Sequence, residues 1–441
     1  MAVSTALAHR PKIIVLDDDP TGSQTVHSCL LLTQWDVPTL VVALQDAVDI
    51  FFVLTNTRAL TPTDAADRTR EVCRNLKQAV AEAQVENFLL VSRSDSTLRG
   101  HYPIETDAIA AELGNFDAHF LLPAFFDGGR FTKNSIHYLL VKGVPTPVHE
   151  TEFARDSVFA YSHSYLPDYV AEKTKGKILA SAVERFTLEN VRAGSLERLL
   201  TLTDNCCGVV DGEIQSDFDQ FAVDLLAATQ QGKKFLLRSA ASILTSLANL
   251  GPQPIQDMCQ MVRNQQPGAV IVGSHVQKTT AQLHKLLELE TVVGVEIEVD
   301  RLLTTDPKIL IVEAVQQAQQ IFDSGKTSVI YTSRKELQFP DAATRLQFGI
   351  TVSETLMSIV QQLPVNIGFL ISKGGITSND VLSHGLNLPT VRLLGQILAG
   401  CSVVQTAPDH PRYPQLPIVL FPGNVGDDDA VAEVYQRLVG M

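Results

Sequence analysis

The chain has 441 residues, more than a single hydrophobic core usually serves, so two domains are expected. Hydrophobic residues at 45% and charged residues at 19% exclude a disordered or low-complexity chain. A formal charge of -14 without any Lys/Arg run excludes nucleic acid and anionic membrane surfaces as expected partners.

From the N-terminus, Met1 to Lys12 carries no apolar h-region, and nowhere does an uninterrupted apolar span reach the ~18 residues of a bilayer crossing. A cytoplasmic enzyme is expected. Short apolar runs at Ile13–Leu16, Phe51–Leu54, Phe88–Val91 and Phe120–Leu122 read as strands, separated by helix-like segments such as Thr63–Val85. That alternation predicts a parallel α/β sheet. From His149 to about Gly208 the pattern is less regular; helices at Phe218–Thr229 and Ala241–Leu250 then flank a strand at Lys234–Arg238.

Pro252, Pro254 and Pro267, interspersed with Gln, interrupt regular structure and suit a connection. The expected division is therefore a first domain at 1–250, a connection at 251–268 and a second domain at 269–441. In the second half, strands are predicted near Ala269–Val272, Val292–Glu298, Ser328–Thr332, Ile367–Ile371 and Ile418–Phe421. Helices near Thr279–Leu289, Leu310–Phe322, Ala342–Gln362 and Asp429–Val439 lie between and after them. No internal repeat occurs. The expected architecture is α/β, with two α/β domains, each holding a mainly parallel sheet.

The six cysteines form no CxxC pair and the eleven histidines show no HExxH or other close ligand spacing. Reduced, mostly buried thiols are expected, and no metal ligand is assigned.

In parallel sheets, ligands bind beyond the carboxyl ends of the strands. The first strand runs into Asp17-Asp18-Asp19-Pro20-Thr21-Gly22, where carboxylates could accept hydrogen bonds from hydroxyls or take a proton. Capping and turn formation explain the same residues equally well. The strand ending near Ser92 leads into Arg93-Ser94-Asp95-Ser96-Thr97-Leu98-Arg99-Gly100, and the next into Asp127-Gly128-Gly129-Arg130. An Arg fork can grip a carboxylate through two parallel hydrogen bonds. Each cluster alone suits a solvated surface, whereas three at successive strand ends describe a site for a small hydroxylated anion.

In the second half, the strand ending at Ile371 leads into Ser372-Lys373-Gly374-Gly375-Ile376-Thr377-Ser378-Asn379-Asp380. Glycines let backbone N–H groups approach phosphate closely. The competing reading is a capping box formed by Thr377 and Asp380. Gly273-Ser274-His275 and Pro422-Gly423-Asn424-Val425-Gly426 are placed similarly, and the Asp427-Asp428-Asp429 run reads as favourable charge at a helix start. Gly325-Lys326-Thr327-Ser328 lacks the earlier glycine of a P-loop and precedes its strand, and no GxGxxG follows a strand.

Asp18-Asp19-Pro20-Thr21-Gly22 and Asp95-Ser96-Thr97-Leu98-Arg99-Gly100, in that order, resemble the two N-terminal hallmarks of the four-carbon acid sugar kinases. The stretch Glu150–Asp156 and the Gly-Arg at Arg130 are similar to that family's N-terminal domain. Gly273-Ser274, Gly374-Gly375-Ile376-Thr377 and Gly423-Asn424-Val425-Gly426 resemble its ATP-contacting segments. The resemblance spans nearly the full chain, with departures at Gln24, Thr25, His27 and Arg93 on the substrate side.

The resemblance implies a sugar-acid domain facing a nucleotide domain, with the active site in the cleft between them. It implies γ-phosphoryl transfer from ATP, with Mg²⁺, to a terminal hydroxyl of a tetronate or 3-oxo-tetronate. Arg99 and Arg130 are expected on the substrate carboxylate, Asp18 and Asp19 on its hydroxyls, and Asp95 orienting the site, with Arg93 and Ser96 completing the substrate set. One of Asp18, Asp19 and Asp95 would accept the departing proton. Ser274, Gly374, Gly375, Ile376, Thr377 and Gly423 are expected on ATP. The alternatives are a non-catalytic sugar-acid sensor, a kinase for another polyhydroxy acid, and a nucleotide-dependent ligase or oxidoreductase; a homodimer is left open.

Overall fold

The computed structural model describes residues 10–440 except 21, 115, 256, 275, 335, 336 and 424. Thr21, His275 and Asn424, which belong to the segments singled out above, lie outside the described residues. The chain forms two units, Met1–Gly251 and Pro252–Met441.

In the first unit the strands are β1 (Lys12–Asp17), β2 (Leu30–Leu32), β3 (Ile50–Leu54), β4 (Phe88–Arg93), β5 (Ala118–Leu122), β6 (Arg130–Lys133), β7 (Ile136–Val141), β8 (Val144–Pro147), β9 (Glu184–Phe186), β10 (Cys206–Val210) and β11 (Phe235–Ser239). The runs Ile13–Leu16, Ile50–Leu54 and Ala118–Leu122 are buried along their whole length. Continuous burial of Ile, Val, Leu and Phe is what a parallel sheet covered on both faces demands. The strands pair in parallel in the order β2-β3-β1-β4-β11-β5-β10-β9. In this register Asp17 lies opposite Leu54 on one side and Arg93 on the other, and Arg93 in turn lies opposite Ser239. The carboxyl ends of β3, β1, β4 and β11 therefore form one edge.

The helix Pro62–Glu82 has Thr61 as its N-cap and Pro62 at its first position, and buries a stripe of Ala65, Thr69, Val72, Cys73, Leu76 and Ala79. That stripe joins a core with Ile14, Phe51, Val53 and Leu90.

The sequence reading passed over β6, β7 and β8, which form a separate antiparallel sheet. Its two links, Asn134-Ser135 and Lys142-Gly143, all have positive φ, the backbone that two-residue hairpins require. Its strands are four to six residues long and mostly exposed or half-buried, so no continuous buried run marks them.

The second unit contains β12 (Ala269–Val272), β13 (Val292–Ile297), β14 (Thr327–Thr332), β15 (Leu370–Lys373), β16 (Thr390–Leu398), β17 (Cys401–Gln405) and β18 (Pro417–Phe421). Their order is β13-β14-β12-β15-β18-β17-β16; β13 to β18 along that list are parallel, and β17 runs antiparallel to β18 and β16. The hairpin β16–β17 was not expected. The strand expected at Ile367–Ile371 is displaced to Leu370–Lys373, because Gly368 pairs with Arg263 and Pro267 instead. A Cβ at Gly368 would stand 2.2 Å from the Gln266 carbonyl oxygen, so this contact requires glycine. The expected helices are present at Gln277–Leu287, Pro307–Asp323, Ala342–Val360 and Ala430–Val439, with shifted ends.

Among the described residues all six cysteines are free, with Cys29, Cys73, Cys207 and Cys401 buried, and no helix is long and apolar enough to cross a membrane.

Candidate active site

Charged side chains converge at the carboxyl ends of β1, β3 and β4. Asp18 is 1% exposed and is held by Arg58, whose Nη2 contacts Oδ1 while its Nε donates to Oδ2 at 3.2 Å. The third guanidinium nitrogen, Nη1, donates to Asp19 Oδ2 at 3.2 Å. One Arg thus clamps two successive carboxylates. Burial alone would weaken the Arg58 proton, but Asp18, Asp19 and Asp95 outweigh it and hold the guanidinium firmly charged. Ser94 adds a hydroxyl donor to Asp18 Oδ2 at 2.5 Å.

Asp17 lies deeper. Its Oδ1 accepts from Arg93 Nη1 at 3.2 Å and from the Asp19 N–H at 3.3 Å, while Oδ2 is buried with no hydrogen-bond partner. A Cβ on Gly22 would fall 2.1 Å from that oxygen, so the glycine of the turn is needed to let backbone lie against the carboxylate. Burial pushes Asp17 up to about 7 against the pull of Arg93, with Asp18 and Asp19 adding to the rise.

Asp95 behaves in the opposite way. Its Oδ2 accepts from Arg99 Nε at 2.9 Å, from the Thr97 N–H at 3.2 Å and from the Thr97 hydroxyl. Burial would raise its pKa, but Arg58 and Arg99 outweigh burial and hold it well below the usual carboxylate range. Arg99 also lies 3.6 Å from Asp156 and its guanidinium stands 4.9 Å from the Phe153 ring centroid, which places the Glu150–Asp156 stretch beside the cluster. Ser96 is buried, and its carbonyl accepts from the buried His137.

Arg130 differs from its neighbours. It forms no ion pair among the described residues; Nη1 donates to the Gly128 carbonyl at 2.5 Å, and Nε is buried without a partner. Gly128 permits the fold-back, since a Cβ there would meet Nη1 at 2.2 Å. Burial weakens the hold of Arg130 on its proton, Asp95 opposing and Arg99 adding to this. An under-compensated guanidinium of this kind suits an incoming anion.

Sequence reasoning missed Arg58 and the buried pair Arg238–Glu105, whose Nη1–Oε2 distance is 2.9 Å. The available signal was position: Arg58 follows β3 and Arg238 lies near the end of β11, the same placement that had singled out Arg93 and Asp95. Two of the substrate-side departures serve the fold, for Thr25 donates to the Ala241 carbonyl at 3.0 Å and His27 contacts the Gly251 carbonyl at 2.8 Å.

In the second unit a cavity of about 710 Å³ opens at the carboxyl ends of β12, β15 and β18, which are adjacent in the sheet. Ser274, Gly374, Gly375, Ile376, Thr377 and Gly423 all line it. Gly374 has φ +115, and a Cβ on Gly273 would stand 2.5 Å from Thr377 Oγ1. Thr377 does not cap a helix: the helix is Gly375–Asp380 with Gly374 at its N-cap, and Asp380 accepts from Ser353. The Asp427–Asp429 run precedes the helix Ala430–Val439, and Asp429 makes no side-chain cap there.

The opposite wall is apolar. Leu337, Phe339, Phe348, Val352, Leu356 and Met357 supply it, the two Phe rings lying 5.0 Å apart. An apolar wall beside a glycine-rich rim is suited to a heteroaromatic base carrying phosphates. No local motif marked this wall, which comes mostly from one face of the helix Ala342–Val360.

Residues 13–247 match the family model described as a sugar-binding N-terminal domain, and residues 269–431 the one described as a nucleotide-binding C-terminal domain. A D-erythronate kinase from Heliobacterium modesticaldum is 24% identical over 97% of each chain. A D-threonate kinase from Bordetella bronchiseptica is 28% identical over 36% of this chain and 38% of its own. A Haemophilus influenzae crystal structure superposes with a TM-score of 0.65 at 18% identity, covering 96% of this chain and all of the other, which speaks for the fold. With both halves matched along most of their length, the chain belongs to the four-carbon acid sugar kinases, phosphotransferases that use an alcohol group as acceptor.

Proposed function

We propose that the protein transfers the γ-phosphoryl group of ATP to a terminal hydroxyl of a four-carbon sugar acid, a tetronate or a 3-oxo-tetronate. The observation that carries this reading is that one cavity is lined by all six residues expected on ATP and backed by an apolar wall. The D-erythronate and D-threonate specificities of the two relatives support the acceptor class.

In this reading Arg130 takes the substrate carboxylate, because its charge has no ion-pair partner among the described residues, and Arg99 assists from its anchored position beside Asp95. Asp18 and Asp19 accept hydrogen bonds from substrate hydroxyls, and Arg93 and Ser96 complete the wall. Asp19, the more exposed of the Arg58-bound pair at 22% against 1%, is the better placed to receive the departing proton. Asp95 orients Arg99, since two guanidiniums make it a weak base.

Phosphoryl transfer depends on positioning and charge neutralisation more than on covalent chemistry. Mg²⁺ needs only one or two protein carboxylates in addition to phosphate oxygens. Among the described residues no group of three His, Cys, Asp or Glu could hold a metal, and Asp380 is the one carboxylate on the cavity lining. These residues fit an ion held chiefly by phosphate oxygens: Asp380 would be its protein ligand, and the ion would shield the phosphate charge.

The test is ADP release from purified protein with ATP and Mg²⁺ across erythronate, threonate and 3-oxo-tetronate isomers and longer aldonates. Turnover dependent on a four-carbon acid, with a phosphorylated product, is expected. Turnover only on longer acids would move the substrate class, and ATP binding without turnover on any acid would favour a sensor.

A further inference from the structure

Lys373 ends β15, is 1% exposed, and is not among the residues expected on the nucleotide. It has no carboxylate partner among the described residues. Its Nζ donates instead to the Pro422 carbonyl at 2.5 Å and the Gly423 carbonyl at 3.2 Å, and lies 4.4 Å from the centroid of the Phe421 ring. β15 and β18 are neighbours with Lys373 opposite Phe421, and the Gly374 N–H donates to the Phe421 carbonyl at 2.8 Å. One ammonium therefore links the two glycine loops of the cavity.

In a trans peptide the N–H points away from the carbonyl. The Pro422–Gly423 bond is not among the cis bonds, so drawing the Pro422 oxygen onto Nζ turns the Gly423 N–H to the far side. Gly423 lines the cavity, and the space a Cβ would occupy there is empty to 4 Å. The Thr279 hydroxyl holds the Gly423 carbonyl from another direction at 3.4 Å.

We infer that Lys373 is a positioning residue of the nucleotide site, which pulls the Pro422 and Gly423 carbonyls inward so that the Gly423 N–H meets the nucleotide phosphates. The inference rests on reading this cavity as the nucleotide site. The titratable groups that face Nζ are the Cys401 thiol on β17 and Lys278 on the helix Gln277–Leu287. Burial pushes Lys373 down to about 7, Cys401 opposing and Lys278 adding to the fall. Burial pushes Cys401 itself up to about 12, so it stays a neutral thiol. Phosphates arriving beside Gly374 and Gly423 favour the ammonium, so nucleotide binding draws a proton onto Lys373 and weakens as pH rises past neutrality.

Calorimetric titration with ATP and excess Mg²⁺, at pH ~6.5 and ~8.5, tests this on the wild type, Lys373→Met and Lys373→Arg. The wild type is expected to lose affinity by roughly threefold or more between the two values. Lys373→Met should bind at least about tenfold more weakly at the lower pH, with the wild-type loss reduced to whatever ATP's own titration contributes. Lys373→Arg should likewise lack the lysine-dependent loss, because its charge does not titrate in this range. Wild-type affinity and wild-type pH dependence in Lys373→Met would overturn the inference. If Lys373→Met does not fold, binding heats of the wild type at pH ~7.5 in buffers of different ionisation enthalpy decide: net proton uptake supports the role, and none overturns it. A wild type that binds no ATP at all would instead overturn the nucleotide reading beneath it.

Discussion

The two candidate sites use opposite materials. At the strand ends of the first unit, the candidate site is built from side-chain charge: Asp17, Asp18, Asp19 and Asp95 are buried or half-buried among Arg58, Arg93 and Arg99. At those of the second unit, it is built from backbone and apolar surface, with Gly273, Gly374 and Gly423 on one side and Phe339 and Phe348 on the other. A small acid with several hydroxyls offers little apolar area, so selecting it requires fixed charges and acceptors. A nucleotide offers a large flat base, and its phosphates are met by N–H groups that carry no side-chain entropy. The first design is costly to disturb and specific; the second tolerates varied side chains wherever backbone conformation is kept.

Arg58→Leu should break this contrast most severely. It leaves Asp18 buried without its cation, and breaking a buried pair from one side costs about 3–5 kcal/mol. Chemical denaturation should show a loss of that size together with loss of turnover; a loss under ~1 kcal/mol would mean that Ser94 and Arg93 suffice to hold Asp18.

Gly374→Ala tests the backbone side. At φ +115 a side chain is strained by about 1–3 kcal/mol, and a Cβ would press on Thr377 Oγ1 at 3.3 Å. ATP affinity should fall roughly tenfold or more, while the KM for the sugar acid changes little. An unchanged ATP affinity would remove Gly374 from the phosphate rim.

Arg130→Lys sharpens the comparison by keeping charge and removing the fork. The KM for the acid should rise about tenfold with the KM for ATP unchanged. Equal effects on both would assign Arg130 to the fold instead of the carboxylate.

The smallest effect concerns Asp17, for which the sign follows from proton binding. Its folded pKa of about 7 lies above the ordinary 3.8, so between those values the native state binds more protons than the unfolded state. Its contribution to stability therefore falls as pH rises from about 4 to about 7. Asp95, held below its ordinary value, contributes stability above that value and loses it as pH falls through its folded pKa. In urea unfolding, Asp17→Asn should gain on the wild type as pH is raised from ~5 to ~8. A constant difference would show that Arg93 compensates the Asp17 charge fully.

Much of both candidate sites was legible because short apolar runs announce strands, and the polar residues directly after them lie at the carboxyl edge of the sheet. That rule singles out Asp18, Asp95, Ser274 and Gly374 as candidates. Arg58, after β3, and Arg238, near the end of β11, occupy the same edge but stand outside the polar clusters that this rule singles out. The antiparallel strands escaped for other reasons: β16 alternates in burial along Thr390–Leu398, β6 and β8 are four residues each and largely exposed or half-buried, and the apolar runs of β7 and β17 are short. Phe339 and Phe348 read as ordinary apolar residues until the helix at Ala342–Val360 is set over the strand ends.

The sequence by itself determined the α/β alternation, the glycines that only particular turns accept, and the residue types at each strand end. These are local properties, set by side-chain periodicity and backbone sterics within a few residues. Tertiary structure decided which strand ends are neighbours, and so that Arg58 would meet Asp18 from 40 residues away and Lys373 would join the loops of β15 and β18. Strand order comes from how crossover helices pack over the sheet, a cooperative outcome of the whole core that no local window encodes. The same packing set the charge states, since burial moved Asp17 and Lys373 toward neutrality and paired guanidiniums moved Asp95 away from it.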